Sequence, residues 1–294
     1  MRSLILGGTG MLGRALVAEA RNRGQAALAL SREQADVTDP ARLRYWMESF
    51  RPELVVNAAA FTKVDACEGE ARERAFAVNG AAVGHIAAAA NAANAANARL
   101  VHVSTDYVFD GKATAPYREE DPTAPLSVYG QSKLEGERQA LRHPGALVVR
   151  TSWLFGPGGP NFAATMVSLI QQGKLPLRVV ADQEGCPTYT PFLARAIFDL
   201  APLDLDGIVH YRNREPVTWH AFAREIAALW AGPAQAPHAV DVLPVTTAEF
   251  PRPAPRPAYS VLGVERFETA VGRRVEPWAW GLAEYLTRIR QGRT

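Results

Sequence analysis

The stretch ILGGTGMLGRAL, residues 5–16, places glycines at positions 7, 10 and 13, directly after a short apolar run and directly before a helical pattern. In a strand–turn–helix unit, the first glycine permits the tight turn, the second lets the backbone approach a pyrophosphate, and the third lets the helix pack on the strand. The free N–H groups at the start of the helix then face the phosphates. In this context the motif favours dinucleotide binding over a glycine-rich turn without a ligand.

Apolar runs alternate with helical patterns through the first half of the chain. Strands are predicted at 3–6, 26–30, 54–59, 100–104 and 146–150, and helices at 11–23, 40–50, 73–96 and 127–141. Nearly continuous apolar strands are typical of a sheet that is covered on both faces. The alternation predicts an α/β protein with a Rossmann-type, doubly wound parallel sheet.

Beyond residue 151 glycine and proline become frequent, most densely in FPRPAPRP (250–257). Further patterns there predict helices at 190–200, 217–230 and 276–290 and a strand at 207–211, with Thr218 as an N-cap and Pro277 in a first turn. We therefore expect a dinucleotide-binding domain over 1–151, completed by segments near 190–211. Residues 152–294 are expected to form mainly a smaller, irregular α/β lobe that binds substrate.

Composition excludes several classes of protein. The chain has 294 residues, of which 48% are hydrophobic and 21% charged, as expected for a globular protein. A net charge of +2 gives no electrostatic case for a nucleic-acid partner. No apolar run approaches the length that spans a membrane, and the start of the chain predicts no signal peptide. The two distant cysteines, Cys67 and Cys186, favour a reducing, cytoplasmic setting and structural roles.

A second motif is SVYGQSK, residues 127–133, in which Tyr129 precedes Lys133 by about one helical turn. This spacing places the two side chains on one helix face. Taken alone, it fits either a reactive pair or the ordinary start of a solvent-exposed helix, since Tyr-x-x-x-Lys often arises by chance.

The end of the second predicted strand bears on the choice of dinucleotide. An acid at this point suits the ribose 2′-hydroxyl of NAD, whereas an arginine suits the 2′-phosphate of NADP. The strand runs into Ser31 and Arg32, and the nearest acids are Glu33 and Asp36. The sequence therefore favours NADPH, with NADH possible; the alternative is that Arg32 is only a solvated loop charge.

The motifs GGTGMLG (7–13), VVNAAAFTKVD (55–65), HVSTDYVFDG (102–111) and YGQSK (129–133) occur in order. With them the chain resembles the extended short-chain dehydrogenase/reductase family over almost its whole length. The segments RTSWLFGPGGPNFAATM (150–166), DQEGCPT (182–188) and RPAPRPAYSVL (252–262) make it most similar to the keto-sugar reductases of that family. The resemblance implies reduction of the 4-keto group of dTDP-4-dehydro-6-deoxy-L-mannose by NADPH, which gives dTDP-L-rhamnose.

The resemblance also implies roles for individual residues. The catalytic residues would be Thr105, Tyr129 and Lys133, with Tyr129 as general acid and the Lys133 ammonium lowering its pKa. The substrate-binding residues would be Thr105, Asp106, Trp153 and Arg256. The cofactor-binding residues would be Gly7, Gly10, Met11, Leu12, Gly13, Ser31, Arg32, Asp36, Val37, Ala58, Ala59, Ala60, Phe61, Thr62, Val103, Tyr129 and Lys133. Asn79 fits either a site-shaping residue or a polar residue that kinks its helix.

The expected partner is a nucleotide-sugar substrate, and the chain is expected to be a monomer or homodimer. No catalytic metal is predicted, since His85, His102, His143, His210, His220 and His238 show no metal-binding spacing. Ala15 stands where some relatives carry an acid for a magnesium-linked dimer. Two alternatives stay open: an epimerase or dehydratase of the same family, and a non-catalytic regulatory subunit. Tyr107 after Thr105 and Asp106 argues against a dehydratase, which has a second acid there.

Overall fold

The computed structural model describes residues 1–93, 98–231 and 240–293. The end of the predicted helix 73–96 and His238 lie outside these residues. The strands are β1 (Arg2–Leu6), β2 (Ala26–Leu30), β3 (Leu54–Asn57), β4 (Arg99–Thr105), β5 (Leu147–Thr151), β6 (Leu154–Phe155), β7 (Leu177–Val180), β8 (Glu184–Gly185), β9 (Thr188–Tyr189), β10 (Gly207–His210), β11 (Val217–Thr218) and β12 (Val242–Val245).

The α-helices are α1 (Met11–Asn22), α2 (Pro40–Phe50), α3 (Val64–Cys67), α4 (Arg72–Ala75), α5 (Ala82–Ala93), α6 (Val128–Ala140), α7 (Phe162–Gln171), α8 (Thr190–Leu200), α9 (Trp219–Ala231), α10 (Glu265–Val271) and α11 (Trp278–Arg290). Between α4 and α5 the chain forms a π-helical turn, Phe76–Ala81, and after β4 a single 3₁₀ turn, Asp106–Val108. The predicted helix 73–96 therefore contains a change of pitch.

The central sheet confirms the predicted fold class. Within the described residues it has six parallel strands in the order β10-β5-β4-β3-β1-β2. The chain winds outward in one direction from β1 to β2 and in the other from β3 to β10. The strand order therefore reverses between β1 and β3, and a crevice forms at the carboxyl ends of the strands at such a point.

The two faces of the sheet are packed separately. Ile5 points to one side, where it joins Leu16 of α1 and Leu193 of α8 in one apolar cluster. Leu4 points to the other side and joins a second cluster with Met47 of α2. This alternation explains the continuous apolar runs of β1, β3, β4 and β5, whose residues are mostly buried on both faces, whereas the first two residues of the edge strand β2 are exposed. Each such fully buried side chain stabilises the fold by about 1.5–3 kcal/mol.

The later part of the chain uses short strand pairs, β6 with β9, β7 with β12 and β8 with β11, together with a third apolar cluster. Val217 and Thr218 pair with β8, so α9 begins two residues later than predicted, at Trp219. The Thr218 hydroxyl nevertheless accepts a hydrogen bond from Ala221 N at 3.1 Å. Pro277 precedes α11 as its N-cap instead of lying in the first turn. The proposed division at residue 151 stays a prediction.

Candidate active site and cofactor cleft

The glycine loop between β1 and α1 is shaped by backbone contacts that leave no room for side chains. Gly7 has φ +75°, a left-handed conformation, and a Cβ there would lie 2.7 Å from Ala59 N. A Cβ on Gly13 would collide with the carbonyl oxygen of Gly7. Gly10 is the N-cap of α1, and no side chain caps that helix start. The backbone of the loop can therefore approach a ligand closely.

A cavity of about 240 Å³ lies against this loop, at the point where the strand order reverses. Its lining comprises Gly7, Thr9, Gly10, Arg32, Ala35, Asp36, Val37, Ala58, Ala59, Ala60, Phe61, Arg74 and Val78. Nine of these are residues predicted to bind the cofactor, and they come from the loops after β1, β2 and β3. The other eight predicted cofactor residues are not part of this lining: Met11, Leu12, Gly13, Ser31, Thr62, Val103, Tyr129 and Lys133.

Helix α6 carries Tyr129 and Lys133, and its first turn is closely fitted to the end of β4. The Ser127 hydroxyl caps the helix by accepting from Gly130 N at 3.2 Å. Gly130 lies so close to the Tyr107 backbone that a Cβ would collide with the Tyr107 carbonyl oxygen. This close approach places Tyr129 beside the residues that follow β4.

The last turn of α6 is anchored by a buried ion pair. Arg150 of β5 donates from Nε and Nη2 to the two Glu137 oxygens at 2.9 and 2.8 Å. The Ser104 hydroxyl of β4 donates to the same carboxylate at 2.5 Å. Both members of the ion pair are about 2% exposed, so the pair is held in a medium where charge is poorly screened. Tyr129 and Lys133 lie two turns and one turn earlier on the same helix.

Thr105 and Asp106 form the end of β4 and the start of the 3₁₀ turn. The Thr105 hydroxyl donates to Asp106 Oδ1 at 3.0 Å and accepts from Tyr107 N at 3.2 Å. Burial raises the pKa of the Asp106 carboxyl to about 7, against smaller opposing effects of the Ser260 and Thr105 side chains. The Tyr107 ring meets the Tyr129 ring edge to face, with the centroids 5.8 Å apart.

The pKa of Tyr129 is raised in this structure, which differs from the expected lowering by Lys133. Burial is the largest cause and the nearby Asp106 carboxylate the second, while the Thr105 side chain acts in the opposite direction. The sequence-based expectation considered only the spacing of the pair and not the low polarity around the phenol. A phenol with a raised pKa stays protonated, as a proton donor must be before it reacts.

Lys133 is 2% exposed, and its ammonium points at the end of β4. Nζ donates to Val103 O at 2.6 Å and lies 3.5 Å from His102 Nε2. Asn57 Oδ1 accepts from Ala59 N at 3.2 Å, which turns the amide Nδ2 toward His102 Nδ1 at 3.0 Å. Burial lowers the pKa of the Lys133 ammonium to about 8, against a smaller opposing effect of Glu137. Lys133 is therefore a buried group and not a surface lysine.

Comparison with known proteins identifies the family. Residues 1–291 match the sequence model of the RmlD substrate binding domain family. The chain belongs to this family. It is 42% identical to the dTDP-4-dehydrorhamnose reductase of Streptomyces griseus, over 96% of this chain and 92% of that protein. It is 39% identical to the spore coat polysaccharide biosynthesis protein SpsK of Bacillus subtilis, over 96% of each.

A solved structure agrees with the sequence relatives. The dTDP-4-dehydrorhamnose reductase of Bacillus anthracis, in complex with NADP, superposes with a TM-score of 0.90 at 33% identity. The match covers 98% of this chain and 99% of that one. The resemblance to keto-sugar reductases seen in the sequence is thereby confirmed.

Two of the four residues predicted to bind substrate have surroundings that the sequence did not indicate. Trp153 adopts φ +45° and stacks on Trp219 with the ring centroids 3.4 Å apart. Arg256 forms an ion pair with Asp65, which also binds Arg252. These arginines hold the pKa of the Asp65 carboxyl at about 2, against the effect of burial. Arg256 is therefore already partnered within the chain, which the sequence did not indicate.

Asn79 lies in the π-helical turn and joins two parts of the site. Its Oδ1 accepts from Phe61 N at 2.7 Å, and its Nδ2 donates to Phe61 O at 3.0 Å and to Ser132 Oγ at 3.0 Å. It thus ties the loop after β3 to α6. Both interpretations of Asn79 agree in part with this geometry. It lies where the helix changes pitch, and its amide contacts Phe61 of the cleft lining.

Sequence reasoning missed four residues of the cofactor cleft: Thr9, Ala35, Arg74 and Val78. Thr9 stands inside the glycine motif and could have been found there. Arg74 and Val78 are one turn apart near the start of the predicted helix 73–96, and their spacing on one helix face was the available signal.

In residues 1–93, 98–231 and 240–293, no cluster of three or more His, Cys, Asp or Glu side chains has the arrangement of a metal site. Over the same residues, no helix is both long enough and apolar enough to cross a membrane.

Proposed function

We propose that the protein reduces the 4-keto group of dTDP-4-dehydro-6-deoxy-L-mannose with NADPH, forming dTDP-L-rhamnose. One observation supports this proposal: Thr105 ends β4, at the sheet edge where the cleft follows β1, β2 and β3, and Tyr129 and Lys133 of α6 contact Tyr107 and Val103 there. The relatives named as dTDP-4-dehydrorhamnose reductases support the choice of substrate.

The residues present fit a dinucleotide. The uncapped start of α1 offers backbone N–H groups to a pyrophosphate. Neighbouring backbone lies so close to Gly7 and Gly13 that a Cβ at either position would clash with it. Arg32 and Arg74 supply positive charge to the cleft. The predicted cofactor-binding residues are retained in this proposal, including Tyr129 and Lys133, which lie outside the lining of the cavity.

The chemistry follows from the groups at the end of β4. When bound, NADPH would supply the hydride, and the carbonyl oxygen of the sugar would gain negative charge and need a proton. Tyr129 gives that proton as general acid. The Thr105 hydroxyl, which accepts from Tyr107 N, would turn its one proton from Asp106 Oδ1 to the same sugar oxygen and so orient it. The buried Lys133 ammonium holds the nicotinamide ribose and stabilises the phenolate that Tyr129 becomes.

Asp106, Trp153 and Arg256 are proposed to meet the sugar nucleotide, and Arg256 must then share its charge between Asp65 and a diphosphate. The substrate itself is the partner that the proposal requires. A monomer or homodimer in the cytoplasm stays our prediction.

A spectrophotometric assay tests the proposal. The purified protein is given NADPH and a panel of dTDP-, UDP- and GDP-linked 4-keto sugars, and NADPH oxidation is followed. The expected result is fastest turnover with dTDP-4-dehydro-6-deoxy-L-mannose. Epimerisation or dehydration without net oxidation of NADPH would replace the reductase assignment by the alternative enzyme class, and no reaction with any sugar would favour the regulatory subunit.

A further inference from the structure

The charges that line the cofactor cleft do not balance. The charged side chains of its lining are Arg32, Asp36 and Arg74. Arg32 Nε lies 3.3 Å from Asp36 Oδ2, so these two side chains form an ion pair inside the cleft. Two arginines against one aspartate leave one net positive charge. Arg32 and Asp36 together carry no net charge, and Arg74 has no ion-pair partner among the described residues, so we assign the net charge to Arg74.

Arg74 is held in place by contacts that leave its charge available. Its guanidinium lies 5.3 Å from the centroid of the Phe61 ring. Phe61 is fixed in turn by Asn79, which bonds both its backbone N–H and its carbonyl oxygen. An arginine stacked on a ring keeps its N–H groups free for an anion and loses little further rotamer freedom on binding one.

The position of Arg74 on α4 also places it on the side of the chain that lines the cleft. Val78, one turn later, also lines the cleft, whereas Ala75 between them is buried in the cluster around Cys67. The ion pairs found among the described residues include Arg32 but not Arg74. Arg72, two residues earlier on α4, stacks instead on Phe76 and lies outside the cleft lining.

We propose that Arg74 determines cofactor specificity, by supplying the net positive charge that favours a dinucleotide with an additional phosphate on its adenosine ribose. This inference rests on the proposed NADPH dependence. It shifts the main determinant from the end of β2, where the sequence pattern placed it, to helix α4. Arg32 then has the smaller effect because it enters the cleft already paired.

Isothermal titration of the full chain with NADP⁺ and with NAD⁺ tests the proposal without an activity assay. Loss of a hydrogen bond to a charged group typically lowers affinity by about tenfold or more. We therefore expect Arg74→Gln to weaken NADP⁺ binding by about tenfold and NAD⁺ binding by about twofold or less. Arg74→Lys keeps the charge and is expected to retain most of the preference. Arg72→Gln, the matched control on the same helix, is expected to change neither affinity.

The outcomes separate this inference from the proposed function. If the unsubstituted protein binds neither dinucleotide, the proposed function is wrong. If it binds both and Arg74→Gln weakens them equally, or weakens neither, Arg74 does not set specificity. A loss of preference in Arg72→Gln as large as that in Arg74→Gln would overturn the inference as well, because the effect would then be one of general surface charge. All the variants change exposed side chains, so the fold is expected to persist.

Discussion

The polar cluster at the end of β4 and the open cleft at the end of β2 differ in how far their charged groups are exposed to water. Lys133 and Asp106 are each 2% exposed, and burial moves the pKa of both toward neutrality, to about 8 and about 7. The Arg32 and Asp36 side chains are 64% and 37% exposed, so water and salt screen their interaction. The buried cluster therefore contains groups that can gain or lose a proton near neutral pH, whereas the charged side chains of the cleft can only attract a ligand and discriminate between ligands.

This difference predicts that single substitutions act strongly at the end of β4 and weakly at the end of β2. The most severe loss is expected for Tyr129→Phe, which removes the proposed proton donor and keeps the ring. Because general acid catalysis typically contributes 10²- to 10⁴-fold, kcat should fall by about 10³-fold. Steady-state kinetics with NADPH and the keto-sugar nucleotide measure this loss. Tyr107→Phe, which removes the neighbouring phenol, is the matched control and should lose less than about tenfold.

A stability comparison sharpens the same contrast. Arg150→Met leaves the Glu137 carboxylate buried without its ion-pair partner, so the free energy of unfolding should fall by about 3–5 kcal/mol. Arg32→Met breaks an exposed pair and should cost less than about 1 kcal/mol. Urea unfolding followed by circular dichroism measures both. Equal losses in the two variants would contradict the distinction between the buried cluster and the open cleft.

The pH dependence tests the buried lysine. Because burial lowers the pKa of Lys133 to about 8, its ammonium is lost as the pH rises through that value. The value of kcat/KM reports the free enzyme, so it should decline above pH about 8, by about tenfold for each further unit. Lys133→Arg keeps its proton in this range and should lose the decline, whatever its absolute rate. An unchanged alkaline limb in that variant would assign the limb to another group.

The smallest effect is expected at the end of β2. Arg32→Ala removes a side chain that is exposed and already paired with Asp36, so the ratio of NADPH to NADH efficiency should change by about threefold or less. Kinetics at low and moderate salt measure this ratio. A change larger than that caused by Arg74→Gln would restore Arg32 as the main determinant.

The sequence predicted the sheet well because its signals are local. Helices α2 and α8 begin and end where their patterns do, and all five predicted strands of the first half occur. The glycine loop could be interpreted for the same reason, because the tight turn, the close approach to a pyrophosphate and the packing of helix on strand each constrain residues that are adjacent in sequence. The strand pair formed by β11 was missed because two residues of strand cannot be distinguished from the start of a helix.

The surroundings of the predicted site residues could not be read in the same way. The contacts of Lys133 with Val103 O and His102, and of Arg256 with Asp65, join segments that are distant along the chain. The raised pKa of Tyr129 depends on burial, which the Tyr-x-x-x-Lys spacing does not specify. The role of Arg74 depends on which face of its helix meets the cleft. The sequence pattern therefore predicted which residue types form the site, whereas their charge states depend on how the chain packs around them.

The most direct test of the central claim is to follow the transferred hydrogen. NADPH carrying deuterium at the 4-position of its nicotinamide, in each of the two stereochemical forms, is incubated with the protein and the 4-keto sugar nucleotide. The account predicts that one form transfers deuterium to C4 of the sugar, as seen by NMR, with one NADP⁺ formed for each product. A sugar product that lacks deuterium with both forms, or one formed with no net consumption of NADPH, would contradict it.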